Sequence, residues 1–258
     1  MSTVAELRIS PRRRNLRQDA TGHTIWETIT EARAIRVDQT ALVLCDVWDK
    51  HWCRGANERL DALLPRLNQV AGALREAGIL IVHAPSDTVT FYDGTPARQR
   101  ALDVSRIEPP AAVPHDDPPL PIYDDDGGCD TPPDTEHNVW TRQHPAIEID
   151  QARDVISDDG VALYSLYRRR EIQTVLIMGV HTNMCMLDRS FAIKAMVRWG
   201  MDVVLVRDLT DAMYNPAMPP YVSHAEGTNL VIQYIEGFWC PSVTSGELLA
   251  ALPASSVG

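Results

Sequence analysis

The sequence predicts a single three-layer α/β domain with a central, mostly parallel sheet. Three observations carry that prediction. From Thr40 onward, short apolar runs of strand length alternate with longer stretches of helical period. The apolar runs are continuous rather than alternating with polar residues, as expected of strands covered on both faces by helices. And 258 residues suit one large domain that buries its own core without metals or crosslinks.

Taken in order, residues 1–38 are polar and mixed and read as an N-terminal extension packing on the domain or on a neighbouring subunit. The α/β domain is expected over 39–250, and 251–258 as a C-terminal tail. Thr40–Cys45 is the first strand, Asn57–Ala77 a helix stopped by Gly78, and Ile79–His83 the second strand. Residues 93–145 then break the pattern: the span from Pro109 to Asp134 is dense in proline and aspartate, including Asp124-Asp-Asp-Gly-Gly128, and has no sustained period. Structureless segments of such length are functional covers or disordered. This one is expected to be an insertion, or lid, over the active site or a subunit interface. A helix over Gly160–Arg170 comes next, then the strand Thr174–Val180. One helix is expected to run from a cap at Thr182 or Asn183 to Trp199, with Gly200 as its stop. The strand Asp202–Val206, a helix at His224–Gln233 and a short strand around Ile235 or Val243 complete the list.

A formal charge of −11 argues against nucleic acid or an anionic membrane as partner. The basic cluster Arg12-Arg13-Arg14 is not followed by an apolar h-region, and no apolar run reaches membrane-spanning length. The five cysteines, at 45, 53, 129, 185 and 240, are odd in number and contain no CxxC pair. They suggest neither a disulfide framework nor a zinc knuckle, and a reducing cytoplasm is inferred. Without a GxGxxG fingerprint or a GxxxxGK[ST] loop, no nucleotide cofactor is expected.

Two segments carry chemistry. Val175–Val180 reads as a buried strand that turns at once into helix, placing Cys185 in the first helical turn. Free backbone N–H groups and the helix dipole favour negative charge there, and thiols so placed have pKa values lowered to roughly 3.5–7.5. The same amides suit an oxyanion. Thr40–Cys45 likewise ends in a carboxylate, Asp46. Both residues sit at the carboxyl ends of parallel strands, where ligands of open α/β sheets bind.

Gly179-Val180-His181-Thr182-Asn183-Met184-Cys185 resembles the Gly-Val-x-Thr-x-x-Cys signature of the isochorismatase-like cysteine hydrolases, a superfamily that includes nicotinamidases and N-carbamoyl amidases. Thr40–Asp46 resembles that family's first strand, and the resemblance runs in order from roughly Thr40 to Val206. It implies that Cys185 is the nucleophile and Asp46 its general base, that the Val180–His181 peptide bond is cis, and that the protein is a homo-oligomer, dimer or tetramer. The family's third catalytic residue is a lysine, but no lysine lies between Lys50 and Lys194. Arg153 is nearest in position and charge, with Arg142 and Lys50 as alternatives. Arginine can hold a carboxylate ionised, yet its very high pKa makes it a poor proton donor.

Trp48, His51 and Trp52 come after the first strand, His83 ends the second, His181 adjoins the implied cis bond, and Tyr214 lies beyond a later strand; these are the candidate substrate-binding residues. Asp208 is read as a loop residue that satisfies backbone amides. Asp49, His51, His83 and His144 are the side chains that a metal would need to gather. Nicotinamidases hold a metal partly through an Asp-x-His after the second strand, whereas Asp49-x-His51 comes after the first, so no metal is expected. The reading is a hydrolase of a small-molecule C–N bond, amide or ureido, acting through a Cys185 thioester. Its alternatives are an isochorismatase-type vinyl-ether hydrolase using Asp46 as acid, and a non-catalytic small-molecule-binding protein.

Overall fold

The protein, seen in a computed structural model, is described over residues 5–252. Most of the expected C-terminal tail therefore lies outside the described residues. The N-terminal extension forms four strands: β1 (Glu6–Ile9), β2 (Arg12–Gln18), β3 (Thr24–Thr30) and β4 (Arg33–Arg36). β1 and β4 make a small antiparallel sheet that buries Leu7, Ile9 and Ile35. The β2–β3 hairpin continues the main sheet. Its arginines disguised it as loop, but alternate ones dock on the body of the protein: Arg12 Nε donates to Glu236 at 2.6 Å and Arg14 Nη1 to Gln233 at 2.7 Å. The charged heads are satisfied while their stems cover apolar surface.

The main sheet is built on β5 (Thr40–Cys45), β6 (Leu80–Ala84), β7 (Val155–Ile156), β8 (Thr174–Val180), β9 (Asp202–Asp211) and β10 (Ser242–Val243). Its order is β3-β2-β10-β9-β8-β5-β6-β7, parallel throughout from β10 to β7. The expected strands Thr40–Cys45 and Thr174–Val180 are found with those bounds; β9 runs five residues beyond Val206. The helices are α1 (Arg54–Glu76), α2 (Pro96–Leu102), α3 (Gly160–Arg169), α4 (Cys185–Asp188), α5 (Ile193–Arg198), α6 (His224–Phe238) and α7 (Ser245–Ala251). One face of the sheet packs with α1 and α7, the other with α3 to α6, so the layers are three. Ile235 belongs to α6, not to a strand, and Val243 does lie in one. No helix among the described residues is long and apolar enough to cross a membrane.

Three local differences from the sequence reading shape the site. First, α1 begins at Arg54, so Asn57 lies in its first turn and braces the preceding loop, accepting from His51 N at 2.7 Å and donating to His51 O at 2.6 Å. Second, the expected helix from Thr182 to Trp199 is broken into α4 and α5 by extended backbone at Arg189. Gly160 packs onto the broken stretch: a Cβ there would lie 1.9 Å from Ser190 O. Thr182 and Asn183 do not cap it, because the Thr182 hydroxyl is paired with that of Thr210 at 2.7 Å and the Asn183 side chain is engaged with Met213. Third, Cys53 and Cys129 form a disulfide, tying the start of α1 to the insertion. The expectation of no disulfides is corrected here. Cysteines 76 residues apart carry no local spacing signal. Cys45, Cys185 and Cys240 are free.

Candidate active site

The site begins where β5 and β8 end side by side. Cys45 is the register partner of Gly179, and a Cβ at Gly179, whose φ is +123°, would lie 2.1 Å from Cys45 O. Glycine alone permits this approach. The chain leaves β8 through a cis Val180–His181 bond, in agreement with the expectation. It leaves β5 through Asp46 at φ +48°, a left-handed conformation that aspartate tolerates better than most residues.

Asp46 is fully buried. Its Oδ1 accepts the Ser86 amide at 2.7 Å, its Oδ2 accepts Arg189 Nε at 3.0 Å, and the Cys185 thiol lies beside the same carboxylate. Burial pushes the Asp46 pKa up; the Arg189 charge and the Ser86 amide pull against it. Burial, then the Asp46 charge, raises the Cys185 thiol to about 12. This reverses the expectation of a resting thiolate. The reason is physical: α4 has only four residues, too few for much of a dipole, and the sulfur sits in a desolvated place beside a carboxylate. At rest the thiol keeps its proton, beside the Asp46 carboxylate. The Cys185 amide has no hydrogen-bond partner among the described residues and so is free to meet an oxyanion.

The cation of the site is Arg189, which sequence reasoning missed. Besides Asp46 it contacts Asp87 at 3.2 Å and lies 5.9 Å from the Trp48 ring centre. Arg153 is not brought there. It pairs with Glu76 and Asp150, each at 2.6 Å, in a depression shared with Gly78, Ile79 and Leu80. That is the amino edge of the sheet, because the turn before a parallel strand lies at the end opposite to the site. Of the alternatives, Arg142 covers Phe91 at 5.3 Å and Lys50 is exposed. The available signal was a positive charge four residues after the candidate nucleophile, hence on the same side of a helical turn.

Four predicted side chains gather beside this triad. Trp48 donates its indole N–H to Ser86 O at 3.0 Å, and His51 packs between Trp52 (5.3 Å) and His181 (4.8 Å). The insertion adds Trp140, stacked on Trp48 at 4.5 Å and 12°. Burial holds both histidines neutral, lowering His51 to about 4 and His181 to about 3. His83 and Tyr214 are elsewhere. His83 points to the α1 face of β6, hydrogen-bonded to Gln143 and Asp154 at 3.0 Å each. The strand's two-residue alternation, not its end, decided its direction. Tyr214 is buried in the core with its hydroxyl donating to Met218 O at 2.8 Å. Asp208 accepts from the Ser245 amide and hydroxyl, both at 2.7 Å. Asp49, His51, His83 and His144 do not converge; the group that does among the described residues is Cys53, Cys129 and Asp134, whose sulfurs are joined.

A depression of about 500 Å³ opens on Cys185, walled by Asn183, Asp188 and Arg189 and by Leu120 and Asp124 from the insertion.

No family model and no curated protein matches the chain. Solved structures do. A cysteine hydrolase from Pseudomonas syringae pv. phaseolicola 1448A is 17% identical, covering 84% of this chain and 93% of its own, with a TM-score of 0.51. A provisionally assigned isochorismatase from Burkholderia xenovorans LB400 is also 17% identical, over 83% and 86%, with a TM-score of 0.50. At such identities the likeness is one of architecture, and the chain has the isochorismatase-like fold.

Proposed function

We propose that the protein is a cysteine hydrolase of the isochorismatase-like superfamily that cleaves the C–N bond of a small amide or ureido compound. The observation that supports this best is the Asp46–Arg189 ion pair at 3.0 Å, with the Cys185 thiol beside the same buried carboxylate at the carboxyl ends of β5 and β8. In this reading Asp46 takes the thiol proton as sulfur attacks the carbonyl, forming a C–S bond and a tetrahedral oxyanion held by the Cys185 amide. The C–N bond then breaks, and the nitrogen leaves with the proton carried by Asp46. Water, deprotonated by Asp46, attacks the thioester; the C–S bond breaks and the sulfur recovers its proton. Arg189 holds the carboxylate in place and balances its charge, and donates no proton. No step needs a metal or cofactor. A homo-oligomer, dimer or tetramer, belongs to the same reading and is read out by sedimentation.

The rival that one observation favours is vinyl-ether hydrolysis, since the raised pKa of Asp46 suits an acid. A panel of small amides, ureas, carbamoyl compounds and vinyl ethers separates the two. Trapping of a thioester on Cys185 by mass spectrometry, with activity abolished in Cys185→Ala, is the expected result. Full activity in Cys185→Ala together with loss in Asp46→Asn selects the rival.

A further inference from the structure

One wall of the depression above Cys185 is left unused by this chemistry. Arg189 is committed to Asp46 and Asp87, and Asp188 is paired with Lys194 at 2.9 Å. Asp124 has no such partner. Its Oδ2 accepts Asn183 Nδ2 at 2.7 Å, and no cation lies within ion-pair distance among the described residues. A neutral amide orients a carboxylate without neutralising it. Half-burial and the neighbouring Asp125 and Asp126 make the charge costlier still.

The carboxylate is also held in place. Asn183, two residues before the nucleophile, is buried and fixed on Met213 by bonds of 2.8 Å to its N and 3.0 Å to its O. On one side of Asp124, the Tyr123 amide donates to Pro219 O at 2.9 Å. On the other, Cys129 is bonded to Cys53, and Asp130 receives Arg59 at 2.7 Å. Gly128 lies so close to the loop after β9 that a Cβ there would meet Met213 O at 2.3 Å. The segment is therefore docked, and it presents a fixed, uncompensated carboxylate to the cavity of the nucleophile. Such a group complements a cation and repels an anion.

We propose that Asp124 is a specificity-determining residue that selects substrates carrying a protonated nitrogen, as an ammonium, amidinium or guanidinium group, beside the scissile amide or ureido carbonyl. This rests on the hydrolase reading above. The chain's net charge of −11 acts in the same direction by drawing cations towards it.

The test uses the full-length enzyme and matched compounds that differ in charge: γ-aminobutyramide (cationic), valeramide (neutral) and succinamate (anionic), with the corresponding alkylureas. The wild type is expected to prefer the cationic member over the neutral one by at least about tenfold in kcat/KM, the scale of one charge-assisted hydrogen bond. Asp124→Asn keeps an oxygen for Asn183 and removes the charge. It is expected to lower kcat/KM for γ-aminobutyramide by about tenfold, mainly through KM, and to change valeramide by less than about threefold. Thioester trapped on Cys185 with no preference for charge, or equal losses on all three compounds in Asp124→Asn, overturns the assignment and leaves the hydrolase reading intact. Absence of both turnover and thioester across the panel removes the hydrolase reading, and this proposal with it.

Discussion

Two buried carboxylates in this protein are each held by an arginine, and they are driven in opposite directions. Asp154 receives Arg75 through Nε (2.9 Å) and Nη2 (2.7 Å), the Asp150 amide at 2.8 Å, and His83 at 3.0 Å. Burial pushes its pKa upward, but the bonds from His83 and Arg75 outweigh that and hold it at about 2. Asp46 has one guanidinium N–H and one amide, with a thiol beside it, and there burial prevails and its pKa rises. A carboxylate saturated with strong donors is a fixed charge that ties α1 to the sheet. One that is undersupplied, with a proton-bearing sulfur as its weakest partner, keeps the capacity to take a proton. The number of donors, rather than the residue pair, separates scaffold from chemistry.

The largest effect expected from breaking that contrast is on the chemistry. Asp46→Asn removes the proposed base and is expected to lower kcat by about 10²–10⁴. It also removes the negative charge that raises the thiol, so the Cys185 pKa should fall from about 12. The pH dependence of iodoacetamide labelling checks this, and an unchanged or higher thiol pKa would contradict the electrostatic account.

Asp154→Asn is the counterpart on the scaffold side. It leaves the buried Arg75 without its counter-charge and is expected to cost about 3–5 kcal/mol in denaturant unfolding, with the labelling profile of Cys185 unmoved. The same group predicts an acid limb. Because its folded pKa of about 2 lies below the ordinary 3.8, the native state binds fewer protons than the unfolded one between those values. Its contribution, at most about 2 kcal/mol, is present above about pH 4 and is lost as pH falls towards about 2. Unfolding free energies of wild type and Asp154→Asn measured across this range should draw closer at the acid end by about that amount.

Smaller effects refine the role of Arg189. Arg189→Met removes the charge that lowers both neighbours, so Asp46 and Cys185 should titrate higher, while Arg189→Lys should restore most of the labelling profile. Smallest of all is Arg153→Gln, an exposed ion pair at the far edge. It should change activity by less than about twofold and stability by less than about 0.5 kcal/mol. A large loss of activity there would reopen the question of which arginine serves the site.

The positions of Asp46 and Cys185 were legible because each comes after an apolar run that can only be a buried strand, and parallel strands deliver the residues at their carboxyl ends to one edge. Arg153 misled for a related reason: charge and chain order were suitable, but a residue before a strand arrives at the wrong edge. The arginine-rich β2 was unreadable as a strand, since its alternation was between two kinds of polar contact instead of polar and apolar. His83 and Tyr214 were placed by strand ends, while side-chain alternation and core packing sent them inward.

Local sequence alone determined the parallel α/β architecture, the cis turn by resemblance, and the strand ends that carry the carboxylate and the thiol, because burial of a continuous apolar run depends on few distant residues. Tertiary structure alone decided that Arg189 completes the site, that Cys53 meets Cys129, that Trp140 and Asp124 come in from the insertion, and that the thiol rests protonated. Each of these depends on which groups are packed against one another and how far water is excluded from them, and neither is written in the spacing of residues along the chain.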